Sequence, residues 1–157
     1  MTREYNEYFP YKAVRDQQKL CIEKSLEAFL DNKKRFVIIE AGTGVGKSAI
    51  GLTVSRYLNR HMTAGEDYSG GSYFLTTQKI LQEQYENDFG MPNGQMQSIY
   101  SSSNYKCSYH KGNDCKTSQQ LLKTEKKGSA FFKNCALNCT YKKQSKKFLL
   151  STIAAKG

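Results

Sequence analysis

Eight residues, Ala41-Gly-Thr-Gly-Val-Gly-Lys47-Ser48, constrain this chain more than any other stretch of it. They fit the phosphate-binding loop, with Ala where that pattern has its first Gly. Glycines let the backbone curl until its amides face phosphate oxygens, and a helix beginning at the loop's end adds the positive end of its dipole. The flanks supply that context. Phe36-Val-Ile-Ile39 is a short β-branched apolar run that reads as a buried parallel strand. After the loop, Ile50, Val54, Tyr57 and Leu58 share one face of a helix expected over 47–58. Ala41, Gly42, Thr43, Gly44, Val45 and Gly46 are therefore candidate nucleotide ligands through their backbone. Lys47 would reach the β- and γ-phosphates of ATP and Ser48 would offer its hydroxyl to Mg²⁺, so these two are the catalytic candidates. The competing account of the same residues is a Gly-rich turn before an ordinary helix, and the strand and helix on either side argue against it.

Upstream, helical spacing begins at Asp16 and puts Ile22, Leu26, Phe29 and Leu30 on one face, with Asn32 near the end. Cys21 lies beside that face as a small buried residue. Downstream, Tyr73–Thr77 is expected as a second strand and 78–87 as a helix packing through Ile80, Leu81 and Tyr85. Ser98-Ile-Tyr100 follows as a short third strand. The order helix, strand, helix, strand, helix implies a parallel sheet covered by helices. Strand periodicity then stops. Residues 101–147 are polar and lysine-rich, an inserted module, and 148–155 are apolar enough to rejoin the core.

Charge separates the two parts. The chain of 157 residues carries a formal net charge of +10. Residues 1–100 hold 12 basic and 12 acidic side chains, whereas 101–157 hold 12 lysines, no arginine, and only Asp114 and Glu125. A neutral nucleotide-binding part beside a basic one points to an anionic polymer as partner. Tyr105, Tyr109, Phe131, Phe132 and Tyr141 interleave with the lysines, the composition of a surface that tracks phosphates and stacks on bases without reading sequence. For Phe131 and Phe132 packing is the simpler role. No stretch has the length of a membrane span and no signal-peptide pattern opens the chain, which reads as cytoplasmic. Four of the five cysteines fall in the basic part, at Cys107, Cys115, Cys135 and Cys139. In an intracellular chain such clustering points to metal or redox chemistry rather than disulfides.

Glu40 to Ser48 resembles the first motif of superfamily 2 helicases, especially the iron–sulfur group containing DinG and XPD. Three further stretches resemble that group in order and spacing. Phe9-Pro-Tyr11 with Arg15-Asp-Gln-Gln18 is similar to the segment holding an adenine-contacting glutamine, a role that falls to Gln18. Thr76-Thr-Gln-Lys-Ile-Leu81 is similar to motif Ia, which implies that Thr76, Thr77 and Gln78 meet the backbone of single-stranded DNA; Thr77 would equally serve as a helix cap. Asn104-Tyr-Lys-Cys107 resembles the opening of the group's iron–sulfur domain, and the resemblance implies a [4Fe–4S] cluster on Cys107, Cys115, Cys135 and Cys139. A Cys₄ zinc site stays open, although Cys107 and Cys115 are too far apart in sequence for a zinc knuckle. His110 is a possible substitute ligand.

The resemblance spans essentially all 157 residues. It implies a RecA-like ATP-binding domain with a parallel sheet over 1–100, an iron–sulfur module over 101–147 and a return toward that domain over 148–157. It implies a 5′-to-3′ DNA helicase acting on single-stranded and forked duplex DNA, bacterial or phage-encoded. A complete member continues to an Asp-Glu-Ala-His-type motif and a second RecA-like domain that supplies an arginine. Neither is found in these residues, which by this resemblance correspond to an N-terminal portion inactive in hydrolysis by itself. Two other classes compete: a non-unwinding, nucleotide-gated zinc module that binds nucleic acid, and a small kinase with a zinc lid, disfavoured by the lack of lid arginines.

Overall fold

The computed structural model describes residues 3–62, 71–90, 96–124, 126, 128–137 and 139–145. The expected apolar return over 148–155 lies outside the described residues. Two compact units divide the chain between Phe74 and Leu75.

The first unit is built on two helices. Helix α1 spans Asp16–Leu26 and continues as a π-helical turn over Glu27–Asp31. Lys33, at φ 51°, turns the chain out of it, and the Lys34 N–H returns to the Ala28 carbonyl at 2.8 Å. Helix α2 spans Lys47–Met62. Their apolar faces meet as the spacing predicts: Ile22 and Leu26 from α1 and Ala49, Ile50, Val54 and Tyr57 from α2 form one buried cluster. Phe29, Leu30 and Leu58 pack half-buried against it, as does Cys21. The N-terminal segment closes the cluster with Tyr5 and Phe9, which flank a 3₁₀ turn over Asn6–Tyr8. Tyr8 adds an edge-on contact to Tyr57, ring centroids 5.5 Å apart.

In the second unit α3 spans Lys79–Phe89, α4 Cys115–Leu122 and α5 Ala130–Leu137, and residues 140–145 are helical. Asp114 caps α4 by accepting the Thr117 N–H at 2.7 Å. On α3 the expected face is not the buried one. Ile80 is 71% exposed, and it is Phe89 that is buried.

The parallel sheet expected from the sequence is not formed: among the described residues there is no strand, and the sole pairing is an isolated antiparallel bridge between Lys106 and Asp114. The architecture is helical, and the RecA-like sheet is corrected accordingly. The apolar runs form no ladder among the described residues, and Ile38 is 95% and Leu75 93% exposed. An apolar run records a demand for burial; a strand also needs neighbouring backbone to bond, and none of the described backbone lies beside these runs in a ladder. At 98–100 side chains take the bonds a ladder would use. Ser98 and Ile99 carbonyls accept from the Gln144 and Gln82 amides, each at 2.8 Å, and the Tyr100 N–H donates to the Tyr105 hydroxyl at 3.2 Å.

This packing separates buried from unburied apolar positions sharply. Leu26→Ala, at a fully buried site, is expected to cost about 2–5 kcal/mol in urea unfolding. Ile38→Ala is expected to stay within about 0.5 kcal/mol of the parent. A large loss at Ile38 would show that the run is buried after all.

Candidate functional site

The phosphate-loop residues lie between the exposed run and α2. Gly44 and Gly46 have φ of 79° and 86°, the left-handed region that only glycine enters without strain. No hydrogen bond among the described residues uses the N–H groups of Gly44, Val45 or Gly46. Lys47 and Ser48 form the first turn of α2, where helix amides have no partners within the helix. The Lys47 ammonium donates to the carbonyls of Ala41 and Gly42, 2.9 Å each, so it spans the loop from its own base. Ala41 is half-buried, Gly42 and Thr43 are exposed, and no atom lies within 4 Å of where a Gly42 Cβ would stand.

Gln18 reaches the same loop from α1. It is only 3% exposed, and its carboxamide is engaged at both ends. Its Oε1 accepts the Arg15 N–H at 3.0 Å, and its Nε2 donates to the Val45 carbonyl at 2.9 Å. A Cβ on Gly46 would stand 2.5 Å from that Nε2, so a side chain there would have to displace the Gln18 amide as well as adopt the left-handed φ. Arg15 adds a second tie, its guanidinium donating to the Gly44 carbonyl at 3.1 Å. The sequence singled out Gln18 but gave Arg15 no role of its own; a cation just ahead of a helix start offers little signal.

In the second unit, Thr76 Oγ1 accepts the Gln78 N–H at 3.2 Å, and Gln78, not Thr77, is the N-cap of α3. No side chain caps that helix, and Thr77 and Gln78 are exposed.

All four cysteines of this unit line one small pocket of about 10 Å³, roughly one water's volume. The spacing that looked too long for a single knuckle is closed by a turn through Gly112, at φ 96°. The Lys106–Asp114 bridge, the Cys107 N–H on the Asn113 carbonyl at 2.9 Å and the Cys115 N–H on the Tyr105 carbonyl at 2.7 Å hold the two ends together. Cys115 begins α4, Cys135 lies on α5 and Cys139 just beyond it. Phe131, 2% exposed, is part of the wall. Gln119, one turn along α4 from Cys115, donates its amide to that sulfur at 3.3 Å, a contact visible in the sequence only as an i, i+4 pair. Ser118 also lines the pocket and is buried.

These surroundings treat the thiols differently. Burial, then the neighbouring Cys139 thiol 4.0 Å away, pushes Cys115 up to about 11. Cys135 is raised chiefly by burial. Burial also pushes Cys107 upward, but the Ser118 hydroxyl and the N–H groups of His110 and Tyr109 face its sulfur and leave it below the usual thiol value. The donor chemistry suits a thiophilic metal. The geometry is not closed, because among the described residues no three His, Cys, Asp or Glu side chains stand where they could hold one ion. An iron–sulfur or zinc centre is thus not formed by these positions, and His110 instead packs edge-on against Phe131, 4.3 Å between centroids.

Loop, lysine and helix together have the sequence and backbone form of the phosphate-loop class. The chain belongs to the family of the type III restriction enzyme res subunit, ResIII, whose model matches residues 11–155, a helicase-like N-terminal region of superfamily 2. At family level this means ATP-dependent helicase or translocase activity on nucleic acid, with ATP and Mg²⁺ as ligands. The match does not single out the DinG and XPD group. No curated protein and no solved structure matches the chain. Among the described residues no helix is long and apolar enough to cross a membrane.

The Gln18 tie to the loop is open to a double-mutant cycle. Gln18→Ala removes a buried amide with two partners and is expected to cost about 1–3 kcal/mol. Gly46→Ala costs about 1–2 kcal/mol from its left-handed backbone alone, and more from the clash. The pair is expected to cost less than the two losses added, because the new methyl no longer meets the Gln18 amide. Strict additivity in urea unfolding would show that the two residues do not touch.

Proposed function

We propose that this chain is the N-terminal portion of an ATP-dependent 5′-to-3′ DNA helicase of the iron–sulfur group containing DinG and XPD. The observation that carries the reading is the joint presence of the phosphate loop and of four cysteine side chains on one pocket. Ala41 to Gly46 bind the nucleotide phosphates through their backbone, Lys47 neutralises the β- and γ-phosphates, and Ser48 takes Mg²⁺. Gln18 positions the loop, and its remaining amide hydrogen is its means of contacting adenine. A second motor domain of the same polypeptide supplies what hydrolysis further needs. The enzyme works in a bacterial cytoplasm, whether host- or phage-encoded.

Thr76, Thr77 and Gln78 meet the strand backbone; the exposed, uncapped start of α3 supports this, since its amides are open to phosphate. The lysine excess of residues 101–157 favours an anionic polymer over a small substrate. Forked duplex DNA is the substrate of such a motor.

Cys107, Cys115, Cys135 and Cys139 hold a [4Fe–4S] cluster, the group that the resemblance around Asn104 to Cys107 implies. When bound, such a cluster supplies a rigid cross-link between the turn at 107–115 and α5. The thiols lie on one wall system, which supports the donor set, and their walls must part to admit four irons. A second reading has its own observation. A tetrahedral zinc–thiolate site with bonds near 2.3 Å has sulfurs about 3.8 Å apart, and Cys115 and Cys139 stand at 4.0 Å around a pocket sized for one atom. One pair at that spacing is not a closed site, but it supports this second reading, a nucleotide-gated zinc module that binds nucleic acid without unwinding it.

Anaerobic purification followed by a visible spectrum and iron, sulfide and zinc analysis decides between them. A brown protein with about four irons and four sulfides per chain is expected; a colourless protein with one zinc would overturn the cluster. Cys107→Ser is expected to lose the metal, and an unchanged content would remove Cys107 from the ligand set. Lys47→Ala is expected to abolish ATP binding in calorimetry while the metal stays. Retained ATP affinity would place the nucleotide elsewhere.

A further inference from the structure

The first unit carries a second concavity that shares no residue with the phosphate loop. It is a cleft of about 420 Å³ between the N-terminal segment and α1, within the range of small-ligand sites. Three cations and one carboxylate line it: Arg3, Lys12, Lys19 and Glu23. Two of these are committed. Arg3 forms a bidentate pair with Asp31, and Glu23 accepts the Tyr5 hydroxyl at 3.5 Å. The Lys12 and Lys19 ammoniums are exposed, and neither forms an ion pair among the described residues. Tyr11 supplies a ring that is 56% exposed and is steadied edge-on by the buried Phe9, centroids 5.9 Å apart.

A steadied aromatic surface beside two uncommitted ammoniums, in a cleft of this size, is the chemistry of a planar ring attached to phosphate. An acidic peptide would use the lysines and leave the ring idle. We propose that this cleft holds one nucleotide unit of a single-stranded nucleic acid, its base stacked on Tyr11 and its flanking phosphates on Lys12 and Lys19. The inference rests on nucleic acid being the substrate class of the family and adds a contact in the N-terminal unit that the family match does not give. Lys19 follows Gln18 directly on α1, so one helix turn presents one side chain to the phosphate loop and the next to the cleft.

The test is the binding of a fluorescein-labelled oligothymidylate to the full chain, without ATP, over a range of salt. Replacing both lysines (Lys12→Ala with Lys19→Ala) is expected to weaken binding at least tenfold at low salt. Two lost phosphate contacts should flatten the plot of log K against log salt by about 1.4, at about 0.7 for each contact on a single strand. Tyr11→Ala is expected to weaken binding roughly 5- to 150-fold, and Tyr11→Phe to restore it. ATP affinity, measured on the same variants, distinguishes a strand from a free nucleotide. If ATP affinity falls while the oligonucleotide affinity and slope hold, the cleft serves the mononucleotide and the proposal is overturned. Unchanged oligonucleotide binding in all the variants overturns it while leaving the helicase reading intact. A parent chain that binds no oligonucleotide removes both. Should the double variant fail to fold, each single lysine variant must still flatten the slope by about 0.7.

Discussion

One carboxamide links the phosphate-loop segment to the start of α1. Gln18 is buried, so both ends of its amide must find partners. It finds one at the start of α1, through the Arg15 N–H, and the other on the loop, through the Val45 carbonyl. The position of the loop and the start of the helix are thereby made one quantity. Gly46 faces that amide, and a side chain there would push the amide from its place. Arg15 on the Gly44 carbonyl and Lys47 on those of Ala41 and Gly42 occupy carbonyls of the loop, while the N–H groups of Gly44, Val45 and Gly46 have no partner among the described residues.

Local rules act the same way in the second unit. A glycine turn and one bridge bring Cys107 back to Cys115, an Asp cap starts α4 at that cysteine, and α5 brings Cys135 and leads on to Cys139. None of these steps needs a sheet. The pocket is therefore a product of turn and cap chemistry, with Phe131 as its buried wall.

What the sequence revealed and what it hid divide along physical lines. The faces of α1 and α2 were legible because 3.6-residue spacing and burial are the same fact seen twice, as Ile22, Leu26, Ile50 and Val54 show. Gln18 was singled out for a contact with adenine, and its tie to the Val45 carbonyl left no mark in the sequence. The strands were not legible. Phe36, Ile38 and Leu75 have the composition of buried strands, yet composition says nothing of what lies alongside, and here they are exposed. The face of α3 failed for a related reason: Ile80 has the right spacing but is 71% exposed. The closeness of Cys107 and Cys115 escaped a rule based on counting residues, because a turn makes separation in sequence a poor guide to separation in space.

The resting position of Lys47 has a consequence for selectivity. Its exposed charge already rests on two carbonyl oxygens at 2.9 Å, so any newcomer must displace these contacts as well as water. Chloride or a lone carboxylate brings too few oxygens to complete that exchange. A polyphosphate brings several, with negative charge, and meets the loop amides and the helix end together. If the loop takes a nucleotide as proposed, this resting contact would set a threshold that a ligand dense in phosphate crosses more readily than a small anion.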